Sequence, residues 1–318
     1  MSFIFTADWH INLNKSKVPY NWQYNRYLKL AGSLLDVSYE HGVLDIVIGG
    51  DVFDKYPTLE EQELFHSICR KLETYNRNVV IFDGNHEATK KGKTFLTPIK
   101  EIFRSCRSTV SIITEQEART IGGLNVDILP YNRLHSDKKY VKTSDILLTH
   151  VRGNVEPYIK SEIDLGLLND WEAVYAGDLH DTTYSQLNIS YPGEPLTTTF
   201  NSSTKERGVF IVTAPNQHKF IPLSIPQMLD KKVESEDEMV PTEVHHTVYT
   251  FVGSKDKVTK TVKNSELLNK IADTKVSSKV SYMPEDRFEE LSYYLTEVRK
   301  VKNPEELVAL LSSVLYDS

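Results

Sequence analysis

The sequence predicts an α/β sandwich, with mixed β-sheets stacked on each other and helices outside. Three observations carry this. Up to about residue 223, short apolar runs alternate with stretches of helical period. Helices fill the early connections and hairpins the later ones, which points to mixed sheets rather than one parallel sheet. Past residue 224 the character changes to a polar, acidic, proline-bracketed stretch followed by a smaller unit.

Residues 3–7 read as a short buried strand, and an amphipathic helix over 22–40 stops at Gly42. Residues 45–48 form the next strand. Thr58-Leu59-Glu60-Glu61 is a capping box, in which the threonine hydroxyl and the glutamate three residues on satisfy each other's amides, and it opens a helix to about Tyr75. A strand follows at 79–82. Short strands at 112–114, 118–121 and 124–129 crowd together, with Gly122-Gly123 marking a hairpin. Further strands are expected at 146–149, 173–176, 187–191, 209–213 and 220–223.

Residues 225–245 read as linker or exposed loop. Beyond them "HTVYTFVG", a helix opened by Asn264-Ser265-Glu266, and "KVSSKVSYM" form a small strand–helix–strand unit. Two helices close the chain, one over 284–299 and one capped by Asn303-Pro304. The expected organisation is a main domain over 1–224, a linker over 225–245, a small α+β capping domain over 246–283, and C-terminal helices over 284–318.

The formal net charge of −7 gives the whole molecule no general attraction for nucleic acid or anionic membrane. Tight binding to DNA would need metals, a local basic groove or a partner. The two cysteines, Cys69 and Cys106, lie in helix-like patterns far from the histidines, so neither a disulfide framework nor a thiolate metal site is expected. No secretory signal opens the chain, and no apolar run approaches the roughly 20 residues that span a bilayer, so the expected location is the cytoplasm, away from membranes.

Metal-capable side chains sit at the ends of expected strands. "FIFTADWH" ends in Asp8 and His10, and "AVYAGDLH" repeats that ending with Asp178 and His180. Alternate side chains of an extended chain point the same way, so each tip aims a carboxylate and an imidazole at one spot. Between them come Asp51 in "IGGDVFD", Asn85 and His86 in "FDGNHE", and His150 in "ILLTH". Imidazole, carboxylate and amide oxygen suit first-row divalent ions such as Mn, Fe or Zn, and the lack of thiolate argues against structural zinc. Asp8, His10, Asp51, Asn85, His150, Asp178 and His180 are too many for one tetrahedral ion. Two ions sharing a bridging carboxylate would use them, as in phosphoester hydrolysis.

The order D-x-H, G-G-D, G-N-H-E, T-H, G-x-x-H resembles the calcineurin-type metallophosphoesterases, and within them the SbcD-type nuclease subunits of recombination and double-strand-break repair, phage exonuclease subunits included. "GGDVFDKYPT", "YPGEPLTTTFN" and "KERGVFIVT" resemble later stretches of that family, and the likeness runs over residues 1–223. It implies a metallophosphoesterase sandwich of two mixed sheets. It further implies two divalent metal ions, Mn²⁺ first and Mg²⁺ as the alternative. One would be held by Asp8, His10, Asp51 and His180, the other by Asp51, Asn85, His150 and Asp178, with His86 as the catalytic histidine at the phosphate or leaving group. The implied function is a DNA exo- or endonuclease subunit working with an SbcC-type coiled-coil ATPase in recombination, repair or DNA degradation, and the resemblance allows a homodimer.

Two departures stand out. The family's G-H-x-H is Gly177-Asp178-Leu179-His180 here, which replaces a neutral ligand by an anion and makes the cluster less positive. Nuclease relatives often carry a histidine where this chain has Asp54.

Alternatives remain. The chain could be another phosphoesterase, a nucleotide phosphodiesterase or a protein phosphatase, although serine/threonine phosphatases carry Arg-Gly after the second motif's aspartate and "GGDVFDKY" does not. A metal-free scaffold for an ATPase is the third reading, and the intact ligand set argues against it. "EATKKGKT" ends like a phosphate-binding loop, but Glu87 stands where its first glycine is required. Lys90, Lys91 and Lys93 read as a solvated loop or a guide for a DNA backbone. Trp9 is expected to pack beneath the site. Leu307, Val308, Leu310, Leu311, Val314 and Leu315 make an apolar helix face that either packs on the small domain or docks the ATPase.

Overall fold

The computed structural model describes residues 1–89, 92–106, 109–135, 139–157, 159–200, 205–240, 244–253 and 267–272, with single positions at 260, 295, 299, 300 and 303. It contains β1 (Phe3–Thr6), α1 (Tyr20–Glu40), β2 (Asp45–Gly49), α2 (Leu59–Thr74), β3 (Asn78–Phe82), α3 (Leu96–Cys106), β4 (Val110–Ile113), β5 (Glu117–Ile121), β6 (Leu124–Leu129) and the one-turn α4 (Tyr131–Leu134). These are followed by β7 (Ile146–His150), β8 (Ala173–Gly177), β9 (Ile189–Ser190), β10 (Gly208–Ala214), β11 (Gln217–Pro222), β12 (Met228–Val233), β13 (His246–Gly253) and β14 (Leu268–Ala272).

β1 to β11 form the two mixed sheets expected of the sandwich. One has the order β11-β10-β1-β2-β3-β4 and the other β5-β6-β7-β8-β9. In the first, β1 to β4 run parallel and β10 pairs antiparallel with β1. In the second, β6 to β9 run parallel and β5 turns back on β6 through Gly122-Gly123.

Side-chain alternation explains the stacking. Phe3, Phe5, Val47, Val80 and Phe82 leave one face of the first sheet and meet Val126, Ile128, Ile146, Leu148 and Tyr175 of the second in a shared core. Their neighbours Ile4, Ile46, Ile48, Val79 and Ile81 leave the other face and pack against Leu30 and Leu34 of α1 and Leu64, Ile68 and Leu72 of α2. A sheet buried on both faces needs near-continuous apolar strands, and "FIF", "IVI" and "VVI" supply them. The capping box of α2 forms as read, with Thr58 and Glu61 each accepting the other's amide.

Register sets the site. Thr6 pairs with Ile48, and Gly49 with Phe82, so β1, β2 and β3 end side by side. His150 pairs with Gly177, so β7 and β8 end together as well. The residues beyond those ends therefore emerge along one edge, where ligands of open α/β sheets gather.

The structure corrects three sequence expectations. Residues 225–245 are not linker throughout, because Met228–Val233 is a strand paired in parallel with His246–Gly253. Its polarity hid it: Lys231 and Lys232 are exposed, Met228 and Val233 are buried, and Asp230 accepts the Thr250 hydroxyl at 2.7 Å. Over Leu268–Ala272, where a helix is expected, the chain adds a third strand to this pair in the order β12-β13-β14. The strand expected at 187–191 is confined to Ile189–Ser190, since Leu187 adopts φ 53° and stands exposed.

The chain divides into two compact units, Met1–Phe251 with Val262–Lys270, and Val252–Thr261 with Ile271–Ser318. Every expected site residue lies in the first. The second strand of the small unit, the helices expected over 284–299 and from 304, and Lys90 and Lys91 lie outside the described residues. Among the described residues no helix is long and apolar enough to cross a membrane.

Candidate metal centre

The loops after β1 and β2 run together. The amides of Asp8, His10 and Ile11 donate to the carbonyls of Gly50 (3.1 Å), Asp51 (2.9 Å) and Val52 (2.8 Å). Four of the expected ligands hold left-handed backbone: Asp8 at φ 58°, His10 at 44°, Asp51 at 50° and Asp178 at 93°. Aspartate and histidine tolerate that region better than most side chains, but it remains costly and persists where surroundings enforce it, as at functional sites. Gly50, at φ 88°, and Gly84 allow the close approach, since a Cβ on Gly50 would meet the His150 ring and one on Gly84 the Asp51 carboxylate.

Among the described residues three groups of side chains converge, each with its donor atoms within 4.8 Å of one another: Asp8, His10 and His180; Asp8, Asp51 and His150; and His10, Asp54 and His86. Asp51 is central. Its Oδ2 lies 3.6 Å from His10 Nε2 and 3.9 Å from His86 Nε2, while its Oδ1 lies 3.5 Å from His150 Nε2. Asn85 also comes to this side, its Oδ1 3.0 Å from His150 Nε2. Trp9 packs beneath, fully buried, its indole donating to Thr6 Oγ1 at 3.0 Å.

The ring tautomers show what the cluster is fit to hold. His150 Nδ1 donates to the Gly49 carbonyl at 2.9 Å, so in the neutral ring Nε2 turns a lone pair inward. That lone pair faces the Asn85 amide oxygen, which in turn faces the Asp51 carboxylate; rotating the amide would relieve this, and so would a cation. His180 Nδ1 pairs with Glu194 Oε2 at 3.1 Å, which turns its Nε2 toward His10 Nε2 at 3.2 Å and Asp8 Oδ1 at 3.9 Å. Two imidazole nitrogens in such contact repel unless a proton or a metal ion lies between them. Inward lone pairs with outward N–H groups fixed on a carbonyl or carboxylate are the pattern of metal-ligating histidines. The residues fit divalent cations on both sides of Asp51.

The electrostatics agree. Burial pushes the Asp8 carboxyl up to about 6, against the pull of His180 and His150. Burial also works upward on Asp51, but His150 and His10 hold it well below the usual carboxylate range. Burial lowers His10 to about 4. His180 goes the other way, to about 9: burial opposes its charge, but Glu194 and Asp8 outweigh burial. Positive charge is thus favoured beside Asp51 and at His180, whereas burial holds His10 toward its neutral form.

Asp178 reaches the cluster with Oδ1 3.9 Å from His150 Nε2, and its amide donates to Asp8 at 3.0 Å. Both of its oxygens are engaged by Arg152, whose Nε and Nη2 donate at 2.9 and 3.0 Å. His86 stands at the rim, 35% exposed, its Nδ1 2.5 Å from the Asp54 carbonyl. The carbonyl can only accept, so Nδ1 carries the hydrogen and Nε2 faces the cluster. Asp54 sits 3.7 Å from His10 Nδ1 and accepts the Asn12 side-chain amide at 2.8 Å.

Sequence reasoning missed the residues behind the ligands. Glu87 is buried and accepts the amides of Gly84 (2.8 Å), Phe53 (2.9 Å) and Asp51 (3.0 Å), which ties the loop after β3 to the loop after β2. Burial pushes its carboxyl up to about 8, with Asp51 adding to the shift and the amides opposing it. Glu194 holds His180 on one side and Arg207 Nη1 at 2.5 Å on the other. Both Glu194 and Arg207 lie in stretches already noted for their resemblance, and Arg152 follows His150 by two residues. Chain position thus held a signal for them, though not for their partners.

A family model described as calcineurin-like phosphoesterase matches residues 1–180, a span that holds every expected site residue. The chain is also 33% identical over 312 residues, 95% of its own length and 94% of the relative's, to the probable exonuclease subunit 1 of Escherichia phage T5. The likeness runs nearly end to end, the family match spans the converging strand ends, and together they give one assignment: the chain belongs to the calcineurin-like phosphoesterase family.

Proposed function

We propose that the chain is a metal-dependent phosphodiesterase that cuts DNA as one subunit of an exonuclease. The observation that carries the reading is Asp51, one carboxylate within 3.6 Å of His10 through one oxygen and 3.5 Å of His150 through the other. A shared carboxylate of this kind suits a pair of divalent ions, Mn²⁺ or Mg²⁺. Asp8, His10, Asp51 and His180 would hold one, and Asp51, Asn85 and His150 the other, with Asp178 beside the second. Bound there, such ions supply Lewis-acid stabilisation of a phosphoryl group and activate water near neutral pH.

The protein's own contribution is position and proton handling. Glu194 and the Gly49 carbonyl orient His180 and His150. His86 keeps its Nδ1 hydrogen on the Asp54 carbonyl, and with a second hydrogen on Nε2 it would pass that proton to the oxygen that leaves phosphorus and be left as the neutral ring. DNA as substrate is supported by the name of the phage relative, an exonuclease subunit. The word subunit and the net charge of −7 support a partner that brings DNA to this edge, and an SbcC-type ATPase in the cytoplasm fits that role.

The test is incubation of the purified chain with linear DNA or bis-p-nitrophenyl phosphate and Mn²⁺ or Mg²⁺, with and without the ATPase. Excess chelator should abolish hydrolysis. His86→Ala should keep its metals yet lose on the order of 10²- to 10⁴-fold in rate. Full activity in that variant, or in chelator, contradicts the reading.

A further inference from the structure

Arg152 lies two residues past His150, and its guanidinium turns onto Asp178 at the end of β8. Nε donates to Oδ2 at 2.9 Å and Nη2 to Oδ1 at 3.0 Å, a two-point fork on one carboxylate. The Asp178 side chain is 4% exposed and that of Arg152 38%. Farther back, the Arg152 amide donates to Glu162 Oε1 at 2.7 Å, and Glu162 Oε2 accepts the Tyr131 hydroxyl at 2.8 Å. One edge of the guanidinium is therefore fixed. The other edge, formed by Nη1 and the second Nη2 hydrogen, has no side-chain or backbone acceptor among the described residues.

The pair also alters the charge balance expected from the sequence. Aspartate in place of histidine adds a negative charge, and Arg152 offsets it. A carboxylate with both oxygens in an arginine fork is already satisfied without a metal. A half-exposed guanidinium one carboxylate away from His150 Nε2 presents parallel N–H groups of the spacing that phosphate oxygens accept.

We propose that Arg152 is a substrate contact that binds non-bridging oxygens of the phosphate to be cleaved, and that Asp178 is its positioning residue rather than a metal ligand. This rests on the phosphodiesterase reading and adds a fixed cation where charge builds up on phosphorus.

The experiment uses the full chain in two calorimetric titrations, Mn²⁺ into metal-free protein and inorganic phosphate into Mn²⁺-loaded protein. Arg152→Gln and Asp178→Asn should both take up as many Mn²⁺ ions as wild type. Arg152→Gln should bind phosphate about 10- to 100-fold more weakly. Asp178→Asn should weaken it less, and the double variant should be no weaker than Arg152→Gln alone, because the two act as a unit. Arg152→Lys keeps the charge without the fork, and its phosphate affinity should fall between the two, which gives a readout even if the glutamine variant fails to fold. Loss of one Mn²⁺ in Asp178→Asn, or wild-type phosphate affinity in Arg152→Gln or Arg152→Lys, overturns the proposal. A wild type that takes up no Mn²⁺ contradicts the phosphodiesterase reading itself, and this inference with it.

Discussion

On one side of Asp51, His180 leans on Glu194, which is itself paired with Arg207, and both members of that pair are buried. On the other side, His150 leans on the Gly49 carbonyl, and Asp178 carries an arginine that is more than a third exposed. The first side is closed from behind by a desolvated charge pair. The second is closed by backbone and opens through Arg152 toward solvent. A buried pair fixes a ring at the risk of stranding a charge when either partner is lost. A backbone carbonyl carries no such risk, and a half-exposed fork can change partners. Exposure does not separate the sides, since His180 is 37% and Arg152 38% exposed; what differs is the support, a buried charge pair behind His180 against a backbone carbonyl behind His150 and a fork on Asp178.

The change that should break both sides at once is Glu87→Ala. It strands three buried amides on the two loops that carry Asp51 and Asn85, at about 1–3 kcal/mol each. Stability measured by denaturant titration should drop by about 3 kcal/mol or more, and neither metal should bind tightly. Unchanged stability would mean the loops are held by something else.

A smaller change should separate the sides. Glu194→Gln leaves Arg207 buried without its counter-charge and frees the His180 ring. The expected loss is about 3 kcal/mol of stability, with roughly 10- to 100-fold weaker binding of one metal. The second metal should keep its affinity. Equal weakening of both would remove the distinction drawn between the two sides.

The mildest effect is that of pH. His180 titrates near 9 in the folded, metal-free protein, above its unfolded value of about 6.5. Its contribution to stability is therefore full below about 6.5 and is lost as pH rises through about 9. His10, held near 4, contributes the opposite way: fully above about 6.5, and lost as pH falls through about 4. If His180 ligates a metal as proposed, binding displaces its proton, and Mn²⁺ affinity should fall by about tenfold per pH unit on going from 9 toward 7, with proton release. Calorimetry in buffers of different ionisation heat reads this directly, and a flat affinity from pH 7 to 9 would count against it.

The sandwich and the polar strand tips were legible because both are local patterns. A strand buried on both faces must read as an apolar run, and a polar tip after it stands out, as in "FIFTADWH" and "AVYAGDLH". The bracing residues were not legible, since a glutamate behaves as a second support only once folding brings His180 and Arg207 to it from 14 and 13 residues away. The fork on Asp178 was hidden for the same reason, and it offsets the expected charge change. β12 escaped because "MLDKKV" turns its lysines to solvent and looks like linker until β13 pairs with it.

The central claim is that Asp51 is shared, and counting metals tests it most directly. Metal-free wild type titrated with Mn²⁺ should take up two ions, His150→Ala one, and Asp51→Asn should bind both at least tenfold more weakly. A wild type that binds a single ion, or an Asp51→Asn variant that keeps one ion at wild-type affinity, would contradict it.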